Sequence, residues 1–278
     1  MIRRSAVLVI AGLILASSSP PGLAPARAAA QGIALSPGAA ELLQVLGEGV
    51  VGSSEPAPAP APIDPARLAW WEAGEWRYRI TAGARRGQTE SEILAPIGAT
   101  TRGETWKRTV GRESTLYLRW TAEGNLVLPS QITHAHEALV HFEPALIYLT
   151  AGLGPGERRL FDGRMDVYSL NNPTMKWYSG RIRATTVHAG VYRVTTPAGE
   201  FSAVLIRTDY QIDILAVVSV RDTLLTFYAE GVGKVAEAEH RRISAMGLFS
   251  TDTKIGRVLV SYTPSYTPIS PPTKVESP

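Results

Sequence analysis

The residues spaced most like metal ligands are His134-Ala135-His136, followed directly by Glu137 and, five residues after His136, by His141. On an extended strand, side chains two apart point to one side, so both imidazoles reach a single zinc or copper ion. A third ligand is required. In an unbroken strand His141 points the other way and joins only through a bend or bulge, while Glu143, Asp162 and Asp166 are further oxygen donors. The spacing keeps open a metal-dependent enzyme centred on His134 and His136. The plainer reading is two solvated histidines on an exposed strand.

Other chemistry is thinner. Glu90 and Glu92 share a strand face, as acid and base do in some sugar hydrolases, but a pair on a polar edge ordinarily serves solubility. His188 and His240 stand alone and read as structural or surface residues. No G-x-S-x-G elbow, H-E-x-x-H helix or phosphate-cradling glycine loop occurs, so serine hydrolase, zincin and nucleotide-binding functions lose their main support.

The aromatic residues offer a binding chemistry instead. Trp70, Trp71, Trp120, Tyr148 and Trp177 are candidates to line the concave side of a sheet and receive an acyl chain or a glycan. Trp70-Trp71 in particular can cap a barrel mouth. Burial in an ordinary core is the plainer reading for each.

The elements that must position these residues are strands. Short alternating runs punctuated by Gly, Pro and Asn recur from Trp76 to Tyr262, and helical periodicity is scarce. In Ser114–Thr121, for example, Leu116, Leu118 and Trp120 fall on one face and Tyr117 and Arg119 on the other. Some ten to twelve strands are expected, the inventory of a sandwich or barrel. The predicted fold is mainly β: an antiparallel curved sheet, incomplete barrel or sandwich, with a short N-terminal helix and disordered tails.

The ends of the 278-residue chain read differently. Residues 1–30 have the pattern of a secretory signal: Arg3-Arg4, an apolar run from Ala6 to Ala16, and small residues fitting an A-x-A cleavage site at Ala26–Ala28 or Ala28–Ala30. The apolar run is shorter than the ~20 residues that span a bilayer, so cleavage is expected and no integral span should remain. Residues 31–55 hold a short helix capped by Ser36-Pro37, with Leu42, Leu43 and Leu46 on one face. Residues 56–64 form a Pro/Ala-rich spacer, 65–263 the β-rich domain, and 264–278 a Pro-rich tail with too few apolar residues for a core.

Charge and cysteine content narrow the function. Residues 1–30 contain three arginines and no acid, so the mature chain carries 25 basic against 25 acidic residues. That balance argues against nucleic acid, which is bound through many cations. With zero cysteines, disulfides, thiolate metal sites, cysteine nucleophiles and a lipidated cysteine are all excluded.

Three segments carry a resemblance: Gly74-Glu75-Trp76-Arg77-Tyr78, Val194-Thr195-Thr196-Pro197-Ala198-Gly199-Glu200-Phe201, and Tyr228-Ala229-Glu230-Gly231-Val232-Gly233. They resemble motifs of an uncharacterised group of bacterial secreted β-domain proteins and lipoproteins, of the forms V-x-x-P-A-G-x-F and Y-x-x-G-V-G. Phe142-Glu143-Pro144 through Gly154-Pro155-Gly156-Glu157 is similar to the approach between them. The chain departs at Glu230, where such proteins often have Pro, and in lacking the lipoprotein cysteine. The resemblance implies a shape, similar in architecture to half-barrel lipoprotein carriers, and no reaction.

The sequence therefore favours an exported, non-enzymatic binding or scaffolding domain of the envelope, periplasmic or extracellular, holding an apolar ligand or a protein partner without a cofactor. The metal-dependent enzyme and a purely structural envelope protein remain the alternatives.

Overall fold

The structure, a computed structural model, describes residues 35–54, 61–69, 73–100, 103–215, 217–245 and 249–264. The expected leader, most of the spacer, Trp70, Trp71 and nearly all of the expected tail lie outside them.

A short strand β1 (Val51–Ser54) is followed by twelve that form a ring: β2 (Gly74–Ala82), β3 (Thr89–Thr100), β4 (Gly103–Val110), β5 (Ser114–Trp120), β6 (Leu126–Thr133), β7 (Ala138–Leu149), β8 (Arg158–Ser169), β9 (Lys176–Thr196), β10 (Gly199–Ile214), β11 (Val218–Ala229), β12 (Gly233–Ala245) and β13 (Phe249–Pro264). Each pairs antiparallel with the next, and β13 returns to pair with β2 from Gly256↔Ala82 to Pro264↔Gly74. The result is a closed up-and-down barrel, not the incomplete barrel or sandwich expected from the sequence. Closure removes two long strand edges whose N–H and C=O groups would otherwise lack partners.

The strands are also longer than the sequence runs. Trp177–Val187 and Gly190–Thr195 are parts of one 21-residue strand, β9. Gly190, at φ +114°, bends this strand without ending it. Bulges do the same in β3, β7, β12 and β13, shifting the alternation while the ladder continues.

Part of the barrel wall has a second, outer layer. Helix α1 (Pro37–Leu43) is capped by Ser36, whose side chain accepts from the Ala39 N–H, and continues into a 3-10 turn at Gln44–Leu46. Its Ala39, Leu42, Leu43 and Leu46 are buried. The helix is seated by Glu41 on Lys254 at 2.6 Å and by the Val45 carbonyl, which accepts from Thr81 Oγ1 at 2.7 Å. Gly256 makes this approach feasible: a Cβ there would lie 2.4 Å from the Val45 oxygen. The far end of β9 joins the same layer, paired to β1, with Tyr192 edge-on to Phe227 at 5.9 Å between ring centres.

A strap crosses one end of the barrel. Ile63 exchanges backbone hydrogen bonds with Gly152 and Leu153 in the β7–β8 connection. It leads into α2 (Pro65–Leu68), capped by Asp64, and the Arg67 carbonyl accepts from the Gly231 N–H in the β11–β12 connection. Arg67 also pairs with Glu230. The strap's own Ile63 and Leu68 are buried against the barrel.

Candidate functional site

The lumen is the concave feature of the molecule, and its chemistry follows from which strand phase points inward. A ring of twelve strands is wider than the eight that apolar side chains fill on their own. Long residues reach across it: Tyr78 on β2, Glu90 and Glu92 on β3, Arg108 on β4, Tyr148 on β7, Tyr210 on β10, Asp222 and Tyr228 on β11, Lys234, Glu237, Glu239 and Arg241 on β12, and Arg257 on β13.

These charges form a continuous network. Lys234 Nζ lies 2.7 Å from Glu92 Oε1 and 3.3 Å from Glu237 Oε1, and sits 4.8 Å above the centre of the Tyr78 ring. Arg108 donates to Glu92 through Nε at 2.9 Å and also reaches the Tyr148 hydroxyl. Arg257 binds Glu90, Glu237 and Glu239, each at 3.1 Å. Arg241 binds Glu239 and, at 2.9 Å, Asp222. Arg85 closes the circuit from outside by pairing with Glu90. Each of the five carboxylates thus faces at least one cation, as burial of charge demands.

Protonation follows the pairing. Burial alone would raise Glu92, but the Arg108 guanidinium and Lys234 ammonium outweigh it and hold the carboxyl at about 2. Burial would likewise neutralise Lys234, and Glu237 and Glu92 outweigh it and raise its pKa. Asp222 goes the other way: burial and then the Glu239 carboxylate push it to about 7 against the pull of Arg241. Its Oδ1 has no protein partner among the described residues. Asp222 borders neither of the lumen voids.

Among the described residues the lumen holds voids of about 50 and 80 Å³, and Glu92, Arg108, Tyr148, Tyr228 and Lys234 border both. The Gln131 amide borders the larger one, its Nε2 without a protein partner among the described residues. Voids of this size with charged groups on their walls accommodate a few ordered waters; an apolar cavity of about 150 Å³ is what one benzene requires. An acyl chain lacks the volume it needs there.

The residues proposed from sequence do not converge. Tyr148 alone among the described aromatic candidates borders the lumen voids. Trp120 lies beside a shallow groove with Ala151 and Gly152 under the strap, and Trp177 is half-buried near the start of β9. Trp70 and Trp71 fall outside the described residues. His134 and His136 are not on a strand; they occupy a 3-10 turn at the tip joining β6 to β7. There His134 Nε2 shares a hydrogen bond with Thr115 Oγ1 at 2.9 Å, and partial burial lowers the pKa of His136. His141 is on β7, edge-on to Tyr168. Among the described residues no three His, Asp or Glu side chains are gathered to hold an ion.

The sequence reading missed the lumen acids. Glu90 and Glu92, read as solubilising, are 3% and 2% exposed. The available signal was their phase: Glu90, Glu92 and Leu94 alternate together, so whichever face buries Leu94 buries both carboxylates. His188, read as structural or surface, is fully buried, and burial lowers its pKa.

No protein-family signature and no curated protein matches the chain. Solved structures give low-similarity matches. One is a protein from Bacteroides fragilis inferred to be exported, with a YmcC-like fold: 15% identity, 71% of this chain and 98% of that one, TM-score 0.44. A second is a protein from Parabacteroides distasonis inferred to be a lipoprotein: 10% identity, coverage 70% and 97%, TM-score 0.37. A third is the hypothetical lipoprotein YmcC of Escherichia coli: 10% identity, coverage 70% and 88%, TM-score 0.33. No helix among the described residues is long and apolar enough to cross a membrane.

Proposed function

We propose that this chain is an exported, non-enzymatic scaffold of the cell envelope that works through its outer surface, with a protein partner. The observation that carries the reading is the crowded lumen: charge-paired side chains cross it and, among the described residues, border voids of about 50 and 80 Å³. An interior built this way rigidifies a barrel and carries no bulky cargo. The leader-like residues 1–30 support export. Binding of an apolar ligand, the other form of this reading, is disfavoured by the small volume of the voids and the paired charges that border both.

Native mass spectrometry on protein extracted from its own host tests the proposal. The expected result is the mass of a chain cleaved near residue 30 with no stoichiometric adduct. One lipid per chain overturns the scaffold reading, and an uncleaved chain recovered from the cytosol overturns export. Photo-crosslinkers placed on outward positions such as Arg77 and Arg79, both exposed on β2, should give one discrete protein adduct in the envelope.

A further inference from the structure

The barrel wall is complete along only part of the junction between β7 and β8. Pairing runs from Ala138↔Ser169 to Glu143↔Arg164 and stops there. At Pro144, which has no N–H to give a ladder, β7 leaves β8, and its remainder stays with β6 through Leu146↔Leu128, Ile147↔Val127 and Leu149↔Leu126. The first half of β8, residues 158–163, therefore has a partner strand on one side only among the described residues, β9, from Arg158↔Val187 to Gly163↔Ile182. Its other edge presents backbone donors and acceptors outward. Arg158, Leu160 and Asp162 are exposed on one face of this ribbon, while the other face packs inward through Phe161 and its β9 neighbours Ile182 and Ala184.

Open edges in soluble proteins are ordinarily blunted by charged side chains, a proline or a covering loop, and Arg158, Arg159 and Asp162 supply charge here. This one carries Leu160, the most exposed large apolar side chain among the described residues at 71%. Arg158, Leu160 and Asp162 alternate onto one face, in the order cation, apolar, anion. That order complements itself when reversed. In an antiparallel pair centred on Leu160, Leu160 meets Leu160 of a second copy and each Arg158 stands opposite an Asp162; a parallel pair would set like charges side by side. Asp162 is already oriented by Arg181 of β9, with Nε 2.8 Å from Oδ1, and its side chain remains 52% exposed.

We infer that residues 158–163 form the contact of a two-fold symmetric homodimer, two copies joining their β8 edges antiparallel about Leu160. A two-fold contact is isologous, so one self-complementary patch suffices. The inference is separate from the scaffold reading: it requires neither export nor a partner protein.

Sedimentation velocity on the full chain over a range of concentrations tests it, with the variants R158D and D162R. The wild type is expected to show a concentration-dependent monomer–dimer equilibrium. Each variant alone replaces two attractive cross-strand pairs with two repulsive ones and should weaken the dimer roughly tenfold or more. An equimolar mixture of the two variants restores both attractive pairs and should recover the dimer, which also shows that each variant is folded. A wild type that stays monomeric at all concentrations overturns the inference. So does a dimer that survives both single reversals, or a mixture that fails to reassociate.

Discussion

Replacing Asp222 with Asn should make the protein more stable at pH 8 while leaving it nearly unchanged at pH 4. Asp222 is fully enclosed, with Oδ2 held by Arg241 Nε at 2.9 Å. Burial, and next the Glu239 carboxylate, move its midpoint from 3.8 to about 7. Between those values the folded chain keeps a proton that the unfolded chain has released. Stability therefore falls as pH rises through this window and falls no further above it. At about 1.4 kcal/mol for each pH unit, the full loss is about 4 kcal/mol. Asparagine keeps the shape and an oxygen for Arg241 but does not titrate. The difference between D222N and wild type should thus be small near pH 4 and grow in the variant's favour up to about 4 kcal/mol at pH 8. Urea unfolding at pH 4, 6 and 8 measures it, and titrating groups away from the Asp222, Glu239 and Arg241 cluster, His188 among them, enter both proteins alike. A difference that stays flat, or that turns against the variant as pH rises, refutes the placement of a proton on Asp222.

Three further outcomes follow from the same geometry. Lys234→Met removes the cation shared by Glu92 and Glu237, and should destabilise the fold by about 3–5 kcal/mol in chemical denaturation, because a buried carboxylate is left with fewer partners; adding Glu92→Gln should recover part of the loss. Glu92, held at about 2, supplies stability that is complete above its ordinary pKa of 4.5 and is lost as pH falls toward 2, so Glu92→Gln should flatten the acid limb of the stability curve. Gly256→Ala places a methyl group 2.2 Å from Thr81 Oγ1 and 2.4 Å from the Val45 oxygen, and should lift α1 from the wall, seen as faster proteolysis between residues 36 and 50.

Much of the β content was legible because alternation survives in single strands: Leu116 and Leu118 are buried on β5 as their spacing implies. Closure was not. Gly74 and Pro264 are neighbours across the β2–β13 ladder, and nothing local in either segment names its partner. Strand lengths were hidden where Gly190 and the bulges broke the alternation without ending the ladder. The lumen network was obscured by a general expectation, that a charged residue on a strand faces water. It fails in a wide barrel, where Glu90, Glu92, Glu239 and Arg257 lie inside because their charges neutralise one another there. Pairings such as Glu92 with Lys234, 142 positions apart in the chain, leave no trace in spacing. The histidine pair misled for the opposite reason: its separation by two residues suits a strand, but the chain turns at that place.

The seat of α1 has a mechanical consequence. The first and last strands of the ring lie side by side with their outer ends together, Gly74 opposite Pro264. Tension applied directly to those ends would peel the ladder one rung at a time, the weakest way to load a sheet. Traction from the upstream chain does not arrive there first. It is taken up where Glu41 grips Lys254 and Val45 is docked on Thr81, and then by the Arg67–Glu230 clasp. Helix and strap thus act as strain relief for the seam of the barrel.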